Sequence, residues 1–251
     1  MTAPRWRLPA SPLRTSVLAT ASAGLALALG MALTAAAPLQ LSALFAVKAG
    51  AAFALTMFVA TGYLSAHHPF PRFGAANAIT TVRMALVALL VASLGEPDGH
   101  ALAWSLAAVT LVATALDGVD GWAARRSRTS SAFGARFDME TDALLITALA
   151  LLAWRWDKAG VWVLACGLMR YVFVAAGWVW PWLERPLPPS TRRKAICVVQ
   201  IVGLAIIVLP VVRPPLSAWL AAATLVVLSY SFLVDVIWLL TCSARASHPA
   251  R

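Results

Sequence analysis

The chain has 251 residues, of which 61% are hydrophobic and only 12% are charged. A soluble domain carries about 25% charged residues, so this composition and the long apolar runs exclude an ordinary soluble domain and indicate a polytopic membrane protein. The formal net charge of +10 comes from basic residues in short segments between the apolar runs. That distribution is typical of membrane topology signals and argues against a nucleic-acid-binding domain.

The sequence predicts eight apolar segments. They run approximately over residues 16–36, 40–64, 77–95, 101–124, 137–154, 160–182, 195–212 and 216–241. Prolines, glycines or charge clusters mark the breaks between them, and no internal repeat or long linker is visible. The first segment also allows a cleaved signal peptide, because it has a basic start and alanines near its end. Its apolar run is longer than a usual signal core, which favours a retained helix.

The lysines and arginines predict the orientation of the chain in the membrane. Placing the N-terminus in the cytoplasm leaves only Arg155, Lys158 and Arg213 of the loop residues facing outward. Basic residues concentrate in cytoplasmic loops, and an even number of spans returns the chain to its starting side. Both termini and the stretch around residues 117–142 are therefore expected on the cytoplasmic side of the cell inner membrane.

The cysteines and a histidine pair carry no predicted site. Cys166, Cys197 and Cys242 lie in or beside apolar segments without CxxC spacing, so they are expected to be buried small hydrophobes. The pair His67–His68 falls in a predicted loop, and no other metal-ligating residues accompany it.

Four aspartates interrupt the apolar pattern, at Asp117, Asp120, Asp138 and Asp142. A carboxylate at the centre of a spanning helix costs roughly 2.5–3.5 kcal/mol, so a compensating charge is required. Residues three and four apart share a helix face, so the aspartates form two stripes, and the short loop between them lets the stripes face each other. Carboxylate oxygens are the ligands that Mg²⁺ and Mn²⁺ prefer. The pattern predicts one or two such ions at a membrane face.

Small residues share these stripes and leave room for a substrate against the backbone: Gly121, Ala124 and Gly134. The alternative interpretation is a helix–helix ion network in which Arg125, Arg126 and Arg136 neutralise the aspartates. That network does not explain why five of the ten acidic residues of the chain lie between residues 117 and 142. The metal site is therefore favoured.

The complete acidic string resembles the signature of the CDP-alcohol phosphatidyltransferases. It reads Asp-x-x-Asp-Gly-x-x-Ala-Arg, eight residues, then Gly-x-x-x-Asp-x-x-x-Asp. Its defined positions are Asp117, Asp120, Gly121, Ala124, Arg125, Gly134, Asp138 and Asp142. The upstream stretch Asn77-Ala-Ile-Thr80-Thr-Val-Arg83 is similar to the first core helix of that family. The resemblance covers about residues 74–242.

The resemblance implies an all-α polytopic membrane helical bundle, with a six-helix core and two additional N-terminal transmembrane helices. The expected domains are a basic N-terminus with the two additional helices at 1–73, the core at 74–242, and a cytoplasmic tail at 243–251. The implied reaction belongs to phospholipid biosynthesis. In that reaction a small alcohol displaces CMP from CDP-diacylglycerol within the membrane. The expected partners are these substrates and membrane lipids, with no nucleic acid beyond the CDP group. The resemblance also allows a homodimer.

The same resemblance implies a role for each motif residue. The metal pair, Mg²⁺ or Mn²⁺, would be held by Asp117, Asp120, Asp138 and Asp142. Asp142 would also accept the proton of the incoming hydroxyl. The CDP-linked donor would be bound by Asn77, Thr80, Gly121, Ala124, Arg125, Ser131 and Gly134.

The acceptor is less defined. A pocket for an anionic acceptor such as glycerol 3-phosphate is expected at Arg170, Arg192, Arg193 and Lys194, although the last three also fit an orientation signal. Members that make phosphatidylglycerophosphate often carry Asp-Pro-x-Ala-Asp-Lys, whereas this chain has Asp138-Met-Glu-Thr-Asp142-Ala143. Inositol phosphate, serine or another polyol are therefore further candidates.

Two further intramembrane charges need partners, and other functions also fit the sequence. Asp235 is expected to pair with an arginine, and Arg83 either assists the donor site or pairs with an aspartate. Within the family, a soluble CDP-alcohol could react with diacylglycerol instead. Outside that chemistry, a transporter or ion channel with an acidic cation site, or an inactive scaffold, would also fit an acidic cluster in a membrane protein. The intact aspartate set argues against a scaffold, and the lack of inverted repeats argues against a transporter.

Overall fold

The structure is a computed structural model that describes residues 11–127 and 131–247. Within these ranges the chain is helical and contains no strand, which confirms the predicted all-α membrane bundle. The helices are α1 (Ser11–Ala36), α2 (Phe45–His67), α3 (Ala75–Ala92), α4 (His100–Ser127), α5 (Ala132–Arg155), α6 (Ala165–Val179), α7 (Thr191–Val208) and α8 (Leu216–Ser247). Each corresponds to one predicted segment. Short 3₁₀ turns lie at Ser93–Gly95, Val161–Leu164 and Pro181–Glu184.

Six helical stretches within the described residues are long and apolar enough to cross a membrane. They lie at Pro12–Ala36, Phe45–Leu64, Ala75–Gly95, His100–Gly121, Val161–Val179 and Leu216–Ser243. α5 and α7 are not among them because of their charged residues. The first half of α5 carries the acidic stripe, and α7 opens on Arg192-Arg193-Lys194. The chain is therefore a multi-pass membrane protein in which two helices are more polar than a simple spanning helix.

The chain divides into two compact units, Met1–Ala148 and Leu149–Arg251. The predicted division at residues 73/74 and 242/243 concerns family architecture rather than compactness, and it stays a prediction.

α3 is the central helix of the first unit, and it packs against α1, α2 and α4. Two thirds of its apolar span is buried. The helices approach closely at Gly24 of α1, where an added Cβ would lie 2.6 Å from the Phe53 ring and 2.8 Å from the Thr81 methyl group. Small residues at membrane helix crossings permit this approach. The additional N-terminal pair is thus packed directly on the helix that carries Asn77, Thr80 and Arg83.

A polar contact fastens the far end of the N-terminal pair. Glu96, which follows α3, is buried and pairs with Lys48 of α2. Its second oxygen accepts the backbone N–H of Ser42 at 2.7 Å, and the Ser42 hydroxyl donates to its first oxygen at 2.7 Å. Because the carboxylate is buried, this set of partners offsets the cost of removing its charge from water.

The second unit contains α6, α7 and α8. α7 packs along α8, and α6 contacts α8 through Phe173 and Phe232, whose ring centroids are 5.6 Å apart. Lys158 closes one end by donating to the carbonyl oxygens of Leu209 at 2.9 Å and Val212 at 2.7 Å. The three cysteines all lie in the described residues and form no disulfide; Cys166 is buried and the other two are half-buried. Burial of the cysteine, as predicted from the sequence, is therefore confirmed for Cys166, whereas Cys197 and Cys242 are less buried than predicted.

Candidate active site

The four aspartates converge on one arginine. α4 supplies Asp117 and Asp120, α5 supplies Asp138 and Asp142, and α3 supplies Arg83. One terminal nitrogen of Arg83, Nη1, lies 2.8 Å from Asp120 Oδ2 and also pairs with Asp138. The other, Nη2, lies 3.0 Å from Asp117 Oδ1 and also pairs with Asp142. The predicted facing of the two acidic stripes is therefore present, with a cation between them.

Arg83 is held rigidly in this position. Its side chain is almost fully buried, and its Nε donates to the carbonyl oxygen of Ala113 at 3.1 Å. Asp120 is the most buried aspartate, and it also accepts a hydrogen bond from the Thr80 hydroxyl at 3.1 Å. Of the two roles left open for Arg83, pairing with an aspartate is the one the structure has, and it extends to all four.

Of the three arginines considered from the sequence, Arg136 has a different partner in the structure. Arg136 contacts Glu140 at 3.9 Å, one turn along α5, instead of an aspartate of the cluster. Arg126 is exposed. The side chains of Ala124 and Arg125 lie outside the described part of the structure. Arg83, which lies on α3, pairs with all four aspartates. An intramembrane cation one turn beyond Thr80 was the available signal for it.

Three of the four predicted metal ligands, all except Asp142, form a group that could hold a metal ion. One guanidinium neutralises one of four carboxylates, so the ionised cluster keeps three negative charges. Oxygens of Asp117, Asp120 and Asp138 lie within 4.8 Å of one another. Hard oxygen ligands at this spacing suit Mg²⁺ or Mn²⁺. Asp117 and Asp138 have side chains 34% and 35% exposed, whereas Arg83 has 2%, so the accessible side of the cluster is acidic and the buried side is basic.

Three of the predicted donor residues lie together beside this cluster. The Ser131 hydroxyl oxygen accepts the backbone N–H of Gly134 at 3.0 Å. A Cβ added at Gly134 would lie 2.8 Å from Asn77 Oδ1 and 3.3 Å from Ser131 Oγ. Asn77 is itself fixed, because its amide donates to the carbonyl oxygen of Phe73 at 2.6 Å. A side chain at position 134 would therefore force the Asn77 side chain to shift.

Two further donor candidates lie on the acidic helices. Thr80 is tied to Asp120 as described, and Gly121 is half-buried one turn after Asp117 on the same face of α4. The first unit thus contains the described members of the predicted donor and metal sets.

The predicted acceptor residues lie in the second unit. Arg192 and Arg193, at the start of α7, both pair with Asp235 of α8, the latter at 3.2 Å. Arg192 also donates to the carbonyl oxygen of Ser231 at 2.9 Å. This supplies the expected arginine partner of Asp235, and the trio keeps one positive charge. Lys194 is exposed, and Arg170 is half-buried on α6.

These features define a multi-pass membrane protein in which four aspartates from two helices form a partly exposed acidic cluster. The family model of the CDP-alcohol phosphatidyltransferases matches residues 73–231. The chain belongs to this family, and it is a membrane phosphatidyltransferase of phospholipid synthesis. The family depends on divalent metals in general. The comparisons with curated proteins and with solved structures gave no match.

Proposed function

We propose that this protein transfers the phosphatidyl group of CDP-diacylglycerol to a small polar alcohol, with glycerol 3-phosphate as the first candidate. The observation that supports this most strongly is the convergence of four aspartates from α4 and α5 on a single arginine, which leaves an acidic, partly exposed face. A dense anion such as a pyrophosphate binds such a face only when cations intervene. Asp117, Asp120, Asp138 and Asp142 would hold them.

The proposed reaction is a displacement at phosphorus. The acceptor hydroxyl oxygen forms a bond to the phosphatidyl phosphorus, and the bond from that phosphorus to the CMP oxygen breaks. Asp142 takes the hydroxyl proton, since an alcohol is a poor nucleophile until a positioned base removes that proton. Bound Mg²⁺ or Mn²⁺ would neutralise the charge on the pyrophosphate and on the departing CMP. Asn77, Thr80, Ser131 and Gly134 would orient the CDP group beside the acidic face, together with Gly121, Ala124 and Arg125.

Arg83 has a distinct role in this proposal. It fixes one oxygen of each aspartate at the buried side of the cluster and thereby keeps the carboxylates together despite their mutual repulsion. Electrostatic preorganisation of this kind lowers the reorganisation required during reaction. The ordering of α3, α4 and α5 around one guanidinium is what makes the acidic face a single site.

We propose that basic residues near the start of α7 bind the phosphate of an anionic acceptor. Arg192 and Arg193 share one carboxylate, Asp235, so a positive charge remains for a phosphate-bearing alcohol. Arg170 and Lys194 would complete that pocket. We also propose, from the distribution of basic residues, that the active site and both termini face the cytoplasm at the cell inner membrane.

The test is a transfer assay with purified protein in lipid nanodiscs. CDP-diacylglycerol, Mg²⁺ or Mn²⁺ and a panel of alcohols are supplied, and lipid products and CMP are identified by mass spectrometry. Asp142→Asn should abolish metal-dependent CMP release. Glu140→Gln is the matched control, because it removes one negative charge from the same helix two residues away and should retain activity.

Each outcome decides a part of the proposal. Product formation only from diacylglycerol and a soluble CDP-alcohol would reverse the donor assignment. Equal activity of wild type and Asp142→Asn would remove Asp142 as the base. Absence of CMP release with every acceptor would overturn the proposed function.

A further inference from the structure

His68 is a buried polar residue that the proposed chemistry does not use. It follows α2, and it precedes the family-matched region of residues 73–231. Only 7% of its surface is exposed. Its Nε2 lies 2.9 Å from the carbonyl oxygen of Arg72, and its Nδ1 lies 3.1 Å from the hydroxyl of Ser131. The additional N-terminal segment therefore reaches one of the predicted donor-binding residues.

For a neutral imidazole, the hydrogen-bond partners of His68 indicate which ring nitrogen carries the hydrogen. A carbonyl oxygen only accepts, so Nε2 carries the hydrogen of a neutral imidazole and Nδ1 is left as an acceptor. The Ser131 hydroxyl must then donate to Nδ1. Its oxygen already accepts the N–H of Gly134 at 3.0 Å. A serine hydroxyl has one hydrogen and two lone pairs, so Ser131 presents a single remaining lone pair to its surroundings.

The ring of His68 is also held from its sides. Its centroid lies 5.5 Å from Phe70, 6.4 Å from Phe73 and 5.9 Å from Phe133. The first and the last of these contacts are edge-on, an arrangement favoured for aromatic pairs. Phe73 is tied to α1, since its backbone N–H donates to the Ser16 hydroxyl at 3.2 Å. The imidazole thus has one orientation, set by α1, by the loop after α2 and by the start of α5.

We propose that His68 is a positioning residue of the donor subsite, supplied to the catalytic core by the N-terminal extension. It fixes the Ser131 hydroxyl as a hydrogen-bond acceptor toward a donor group of the CDP moiety. This rests on the proposed function, in which Ser131 contacts the CDP-linked donor. The two additional helices thereby gain a role, because they hold the segment that carries His68 against α3 and α5.

Two substitutions separate the two hydrogen bonds of the imidazole. His68→Asn keeps a polar acceptor near the position of Nδ1 and loses the bond to Arg72. His68→Gln places its amide near the position of Nε2, so it keeps the bond to Arg72 and loses the acceptor for Ser131. His67→Asn is the control, because His67 is the exposed neighbour whose Nδ1 lies 3.1 Å from the carbonyl oxygen of Tyr63.

The readouts are KM and kcat for CDP-diacylglycerol, KM for the alcohol, and the Kd of CMP measured calorimetrically with Mg²⁺ present. We expect His68→Gln to raise both the KM for CDP-diacylglycerol and the Kd of CMP by about tenfold, as for the loss of one positioned hydrogen bond. kcat and the KM for the alcohol should change by less than about twofold, within the scatter of near-neutral substitutions. His68→Asn should remain within about threefold of wild type, and His67→Asn should be unchanged.

A double variant tests the route through Ser131. If His68 acts through that hydroxyl, His68→Gln in a Ser131→Ala background should add less than about twofold to the Kd of CMP. Equal effects of His68→Asn and His68→Gln, or additive effects in the double variant, would overturn the positioning role while CMP still binds the wild type. Failure of wild-type protein to bind CMP or to transfer any phosphatidyl group would instead overturn the proposed function, and the donor subsite with it.

Discussion

Replacing Arg83 with glutamine should destabilise the protein strongly when no divalent cation is present. The substitution removes the guanidinium that pairs with Asp117, Asp120, Asp138 and Asp142. Breaking a buried ion pair by removing one partner costs about 3–5 kcal/mol, because a charge is left uncompensated. Here the remaining carboxylates also repel one another, so the loss should reach at least that range.

The assay is thermal unfolding in detergent, with either EDTA or excess MgCl₂. One kcal/mol shifts the Tm of a chain of this size by roughly 2–4 °C, so Arg83→Gln should melt roughly 6–20 °C below wild type in EDTA. Cation binding replaces the missing positive charge, so Mg²⁺ should raise the Tm of the variant by more than it raises that of wild type.

Arg136→Gln is the matched control for this experiment. Arg136 is 62% exposed and lies 3.9 Å from Glu140, and exposed pairs of this kind contribute about 0–1 kcal/mol. Its Tm should stay close to that of wild type in both conditions. If Arg83→Gln were as stable as the control in EDTA and gained nothing extra from Mg²⁺, the account of Arg83 as the charge that holds the cluster together would be refuted.

Three other predictions concern different parts of the molecule. Gly134→Ala should cost about 1–3 kcal/mol through crowding of Asn77, and it should weaken CMP binding measured by calorimetry. Gly118→Ala, where an added Cβ meets nothing within 4 Å, should do neither. Arg192→Gln should raise the KM for glycerol 3-phosphate by about tenfold or more, as expected for the loss of a charge-assisted hydrogen bond. The KM for uncharged alcohols should stay unchanged. Equal increases in KM for charged and uncharged alcohols would contradict an anion pocket. Burial disfavours the ionised form of Glu96, but hydrogen bonds from Lys48 and Ser42 and the Lys48 charge outweigh it and hold the pKa of Glu96 below its ordinary value. The stabilisation by ionised Glu96 should therefore be complete above pH 4.5, the ordinary pKa, and should decline as the pH falls through the lowered pKa. The difference in Tm between wild type and Glu96→Gln should accordingly become smaller in acid. A difference in Tm that does not depend on pH would contradict this.

Most of the fold could be predicted from local sequence patterns. The eight helices of the described residues follow from apolar runs and breaks, because hydrophobic length and turn residues act within a segment. The facing of the two aspartate stripes follows in the same way from helix periodicity and a short connection. The sequence could also require a partner for Asp235, since an intramembrane acid is costly when unpaired.

The identity of long-range partners was beyond such reasoning. Arg83 meets Asp142 across 59 positions of the chain, and Arg192 meets Asp235 across 43. Helix order in space decides such contacts, and periodicity does not report it. His68 illustrates the same limit. The sequence predicts only a loop histidine. In the structure, His68 Nδ1 lies 3.1 Å from the hydroxyl oxygen of Ser131, which precedes α5 and is 63 positions away in the chain.

The most direct measurement of the metal site is pulsed electron paramagnetic resonance of Mn²⁺ bound to the protein with ³¹P-containing CDP-diacylglycerol. We expect tightly bound Mn²⁺ that couples to phosphorus of the pyrophosphate, and we expect both binding and coupling to be lost in Asp117→Asn combined with Asp138→Asn. Manganese that binds equally well to that variant, or that shows no phosphorus coupling in the wild type, would contradict a catalytic metal site at the four aspartates.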